Sequence, residues 1–144
     1  MSYESPVFRT LAASNHAKDQ IREEHDFYAT EPKAVELLLE QEKFEGNIIT
    51  NPPYRNSGTF ARHALEIIPE GKKVALFVKL LFLEGKERKK LFEDYPPKTV
   101  YVSSSRLTCA KNGDFEKYVS SAVAYAWVVW EKGYAGETIL RWIN

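Results

Sequence analysis

Asn51-Pro52-Pro53-Tyr54 is the stretch of this chain whose residue types and spacing could do chemistry. A conjugated amine is a poor nucleophile because its lone pair is delocalised. Two acceptors placed on its two N–H bonds pull the nitrogen towards tetrahedral geometry. They also stabilise the positive charge that develops as it attacks a methyl sulfonium. The Asn51 side-chain oxygen can be one acceptor, and the Pro52 carbonyl the other. Consecutive prolines hold φ at about −65°, so that carbonyl is fixed in advance of any substrate. Tyr54 offers a flat face to a base taken out of its helix, a contact worth about 1–3 kcal/mol. The competing reading is a plain turn. At average composition, however, the tetrapeptide arises by accident in roughly one chain of this length in a thousand.

With its surroundings the tetrapeptide resembles the S-adenosylmethionine-dependent adenine-N6 DNA methyltransferases, especially the compact bacterial and phage-type ones. Two blocks carry the likeness. Asp26-Phe27-Tyr28-Ala29-Thr30-Glu31-Pro32 is similar to the segment that precedes the sheet in this family and touches the methionine end of the cofactor. The second block runs from Ile48 to about Ile143 and contains the tetrapeptide. The resemblance implies a truncated class I, Rossmann-like α/β fold in a cytoplasmic protein of bacterial or phage origin. It implies S-adenosylmethionine as cofactor and DNA as partner. Asn51, Pro52, Pro53 and Tyr54 become the catalytic turn, and Phe27, Tyr28 and Thr30 line the cofactor pocket. Read from the residues alone, 27–32 is equally a helix cap with core aromatics. The same tetrapeptide also occurs in enzymes that methylate glutamine side chains or guanine amines, so it identifies the reaction better than the substrate.

The elements that must position these residues follow from patterning. The chain reads as one domain over 1–144, with 1–12 poorly ordered and a short polar helix over 13–25 capped by Ser14 or Asn15. Asp26–Thr30 is extended. Thr30-Glu31-Pro32 opens a helix that runs to about Glu42, with Ala34, Val35, Leu38 and Leu39 on one face. Gly46 breaks the chain, and Asn47–Thr50 is a short strand that delivers the tetrapeptide at its carboxyl end, where α/β sheets bind ligands. A helix over Gly58–Ile68 follows, then strand Lys73–Lys79, a charged helix over 84–94, strand Thr99–Ser103, a polar loop over 104–118, strand Ser120–Glu131 and strand Ile139–Trp142. Strands alternating with helices predict a mostly parallel sheet. The last strands follow one another with no helix between them, which predicts an antiparallel pair near the C-terminus.

Half of the expected cofactor machinery is missing. The family holds its cofactor on a glycine-rich turn, where the backbone must bend tightly and approach the ligand. The chain has seven glycines, at 46, 58, 71, 85, 113, 133 and 136, and no two are separated by a single residue. Roughly 20 residues lie between Thr30 and Asn51, mostly helix, which leaves no room for the family's first three strands. Strand 47–50 therefore has an unpaired edge, which predicts a homodimer through that edge or cover by the N-terminal segment. Two outcomes stay open: an enzyme with a differently built pocket, and a non-catalytic remnant that binds nucleic acid or protein.

Composition narrows the classes. No apolar run approaches the roughly 20 residues of a membrane span, and the first residues show no secretory signal. One cysteine, Cys109, permits no internal disulfide and fits a reducing cytoplasm. His16, His25 and His63 lack ligand spacing, so no metal is expected. Twenty basic and twenty acidic residues give a net charge of zero, which argues against a dedicated duplex binder. Lys72, Lys73, Lys79, Lys86, Arg88, Lys89 and Lys90 form a basic cluster, diluted by Glu84, Glu87, Glu93 and Asp94, that reads either as a phosphate track or as a solvated face.

Overall fold

The computed structural model describes residues 28–30, 32–43, 45–107, 109–111, 116 and 123–144. The expectations for 1–12, for the helix over 13–25 and for Phe27 lie outside these residues.

Strand β1 (Tyr28–Thr30) leads into helix α1 (Pro32–Gln41). Proline in the first turn loses no hydrogen bond there. The helix buries Ala34, Val35, Leu37 and Leu38, while Leu39 is 42% exposed. The inward face is thus turned slightly from the expected one, because the run Leu37-Leu38-Leu39 fits either rotation. Gly46, at φ 67°, turns the chain into β2 (Ile48–Thr50). After the tetrapeptide come helix α2 (Ser57–Ile67), strand β3 (Lys73–Lys79), one 3-10 turn (Leu80–Leu83) and helix α3 (Lys86–Asp94). Strands β4 (Thr99–Ser103), β5 (Cys109–Lys111), β6 (Tyr125–Glu131) and β7 (Ile139–Ile143) complete the chain.

The main sheet has five strands in the order β2-β3-β6-β4-β7. β2 pairs parallel to β3, and β7 parallel to β4. β6 is antiparallel to both β3 and β4. Four strands therefore run one way and β6 runs against them, an α/β fold with a mixed sheet.

Two details differ from expectation. The antiparallel pair expected near the C-terminus is β4 with β6, but the last two strands do not pair with each other: β4 lies between them, and β7 joins it in parallel register from Thr99↔Ile139 to Ser103↔Ile143. The physical reason is burial. β6 (Tyr-Ala-Trp-Val-Val-Trp-Glu) is apolar on both faces and takes a central place, as a doubly covered strand should. β7 carries Arg141 and leaves Leu140 and Trp142 exposed, which suits a margin. The stretch 104–118, expected as a loop, contains β5. That strand pairs antiparallel with β1, Thr30 opposite Cys109.

Helices cover both faces of the sheet. α1 packs with Ala75, Phe77, Tyr101, Trp127 and Val129 on one face. α2 and α3 contribute Ala61, Ala64, Leu65 and Leu91 to the other, against Val74, Leu76, Val78, Val100, Val128 and Trp130. The alternation is the period-2 geometry of strands. Trp127 and Trp130 are buried with their polar edges satisfied: Trp127 Nε1 donates to the Ala34 carbonyl at 2.7 Å, and Trp130 Nε1 to the Tyr95 carbonyl at 2.9 Å. Among the described residues no helix is long and apolar enough to cross a membrane. None of their His, Cys, Asp and Glu side chains form a group of three that could hold a metal ion.

Candidate functional site

β2 is too short to hold a site by itself, and its register with β3 (Ile48↔Val74 to Thr50↔Leu76) is what places Asn51 at the carboxyl end of the sheet. β3 runs on past that register to Lys79, and β6, running the other way, begins beside it: Lys79 pairs with Tyr125. Asn51, Lys79 and Tyr125 thus stand at one end of the sheet, joined by Thr30 from β1.

Asn51 is half-buried, and its Nδ2 donates to Thr30 Oγ1 at 2.9 Å. That bond fixes the plane of the carboxamide and sets its oxygen on the opposite edge from Thr30. Pro52 is buried and Pro53 exposed. Pro53 has φ −55° and ψ 125°, and its carbonyl accepts from the Asn56 amide at 3.1 Å, which closes the turn into a 3-10 helix over Tyr54–Asn56. The Tyr54 carbonyl accepts from Ser57 Oγ at 3.0 Å.

The Tyr54 ring is half-buried at the end of an aromatic row. It lies 6.4 Å from the Tyr125 ring at 37°; Tyr125 stacks on Phe77 at 5.1 Å, and Phe77 packs against Trp127 at 5.0 Å. Such pairs add about 0.5–1.5 kcal/mol each beyond their burial. The Lys79 ammonium sits over the Tyr54 ring, 4.6 Å from its centroid.

A second support reaches the turn from α3. Arg88 Nη2 donates to Ser57 Oγ at 3.3 Å, and its guanidinium lies 4.5 Å from the Phe82 ring centroid. Gly58 makes this approach possible, since a Cβ there would run into the guanidinium.

The basic cluster seen in sequence is therefore not one surface. Lys73 bonds Glu42 where β3 begins, and Lys89 pairs with Glu93 along α3. Lys79 faces the tetrapeptide. Sequence reasoning named Lys79 only within the basic cluster and did not single out Tyr125 as a site residue. The available signal was position: the last residue of a strand parallel to β2 lies at the same end as Asn51. Of the residues expected to line a cofactor pocket, Thr30 is brought to the tetrapeptide. Tyr28 is in β1 by its backbone, and Phe27 is outside the described residues.

The displaced titrations belong to Tyr101, midway along β4, and Lys98, just before it. Burial, and then a 2.8 Å hydrogen bond to Glu42 Oε1, push the Tyr101 hydroxyl up to about 12. Lys98 is raised by its hydrogen bond to Glu131. Neither pair touches the tetrapeptide.

No protein-family model matches this chain, and no curated protein matches it.

Proposed function

We propose that residues 51–54 form the amine-accepting turn of an adenine-N6-type methyltransferase domain. Asn51 Oδ1 and the Pro52 carbonyl accept from the exocyclic amine, and Tyr54 stacks on the base. The observation that carries this reading is the double anchoring of the turn: Asn51 is tied to Thr30, and Tyr54 is held in the aromatic row. Both groups are ordered before a substrate arrives, which is the condition for electrostatic help at low reorganisation cost.

The described residues do not fit S-adenosylmethionine in the manner of the family. Their glycines with left-handed backbone are Gly46, Gly71, Gly85 and Gly133. Gly46 and Gly71 precede β2 and β3, and Gly133 follows β6 at that same end, away from Asn51. Gly85 opens α3 with no second glycine beside it. No glycine-rich turn therefore lies at the carboxyl ends of the described strands. The chain supplies the amine-binding half of the reaction.

Calorimetric titration with S-adenosylmethionine, followed by mass spectrometry of adenine, guanine and glutamine after incubation with labelled cofactor, tests the reading. Label on adenine supports it; label on guanine or glutamine moves the substrate. No binding up to about 1 mM, weaker than about −4 kcal/mol, removes independent catalysis. That result leaves a non-catalytic binding module, in which Asn51→Ala is silent.

The margin of the sheet supports a second proposal. Among the described residues β2 pairs with β3 alone. A two-fold pairing of β2 edges would continue the sheet across two copies of the chain. Light scattering on a chromatographed sample that returns only a 16.6 kDa species sinks it.

A further inference from the structure

Lys79 is a cation with an aromatic ring and no carboxylate beside it among the described residues. Lys33, Arg62, Lys73, Lys89 and Lys98 each have a carboxylate within ion-pair distance. Lys79 has none among the described residues, although it is half-buried at the end of β3. Its ammonium lies 4.6 Å from the centroid of the Tyr54 ring, the ring read above as the stacking surface. It shares a strand face with Phe77, whose ring stacks on Tyr125, so its stem rises beside the aromatic row. A half-buried charge needs a partner, and an aromatic face is a weaker one than an anion.

A glutamine side chain brings no charge to this place. A nucleotide does: a base stacked on Tyr54 carries its phosphodiester within the sweep of a neighbouring lysine. We propose that Lys79 binds the phosphate adjoining a base stacked on Tyr54, so that this site takes a nucleic-acid strand, single-stranded or locally extruded, and not a protein glutamine. The inference rests on the reading of residues 51–54 as an amine-binding turn. In the free protein Lys79 rests on the tyrosine; with a strand bound it turns to the phosphate.

The test is fluorescence anisotropy with a short labelled single strand carrying one central adenine, and with the same strand abasic at that position. Each is titrated from about 25 to about 200 mM salt. Lys79→Gln is expected to weaken binding of both strands about 3- to 10-fold at the lowest salt. It should also flatten the slope of log affinity against log salt by about 0.7, the share of one phosphate on a single strand. Lys79→Arg keeps the slope, which separates charge from folding. Tyr54→Leu weakens the adenine strand and leaves the slope alone. An unchanged slope and affinity in Lys79→Gln overturns the inference, as does failure of the wild-type chain to bind either strand at the lowest salt. The underlying reading fails separately: equal binding of the adenine and abasic strands removes the base site even where the lysine slope behaves as expected.

Discussion

The side-chain amide of Asn51 is tied to the hydroxyl of Thr30 across 21 residues of chain, at 2.9 Å. Thr30→Val keeps the shape and removes the acceptor. Losing this partly buried bond is expected to cost about 0.5–1.5 kcal/mol, read as a shift of the urea midpoint at unchanged slope. Thr30→Ser restores most of it. Any turnover attributed to Asn51 should fall in kcat more than it rises in KM, because the carboxamide loses its orientation and not its presence.

Raising pH should destabilise the fold through Tyr101. An unfolded tyrosine ionises at about 10. In the folded chain the value is about 12. Between the two, the unfolded chain has released a proton that the folded chain keeps, so stability falls as pH rises. The contribution is complete below about pH 10 and is lost on the way to about 12, on the order of 2 kcal/mol. Urea midpoints at about pH 9, 10 and 11 check this, and Tyr101→Phe should show a flatter decline.

Gly58 and Arg88 are coupled. In an open helix, glycine to alanine gains about 1 kcal/mol. At Gly58 the new methyl group must push the guanidinium off Ser57, so Gly58→Ala alone gains less or destabilises. With Arg88→Ala already made, the gain should reappear. A double-mutant cycle reads the difference, expected at about 1 kcal/mol.

Trp127 pins α1 to the sheet. Trp127→Phe keeps an aromatic ring but removes the bond to the Ala34 carbonyl, which keeps only its helical partner, and leaves a void beside Phe77. The expected cost is about 2–4 kcal/mol in denaturant unfolding, larger than for either surface ion pair of α3.

Much of the local structure was legible. β3 and β4 have the expected bounds, because each is an apolar run closed by a turn: Gly71 before Lys73, and Pro96-Pro97 before Thr99. The place of Asn51 after a short strand was legible for the same reason. The sheet order was not. The two apolar faces of Tyr125–Glu131 call for a central place but do not name β3 and β4 as its neighbours, since those are chosen by total burial across the sheet. β1 and β5 have three residues each, too few for a periodic signal, and they find each other 79 to 83 positions apart, Thr30 opposite Cys109 and Tyr28 opposite Lys111. Charge counting hid Lys79 among its neighbours, and strand parity would have separated it from them.

The central place of β6 governs the order in which this molecule can be assembled. Until Tyr125–Glu131 has left the ribosome, β3 and β4 stand apart with a vacancy one strand wide between them. A nascent chain released before that point carries two naked apolar edges facing each other and nothing of its own to close them, a shape prone to sticking to its neighbours. Closure waits for a late-made segment to thread between early ones. Such long-range pairing makes for slow folding.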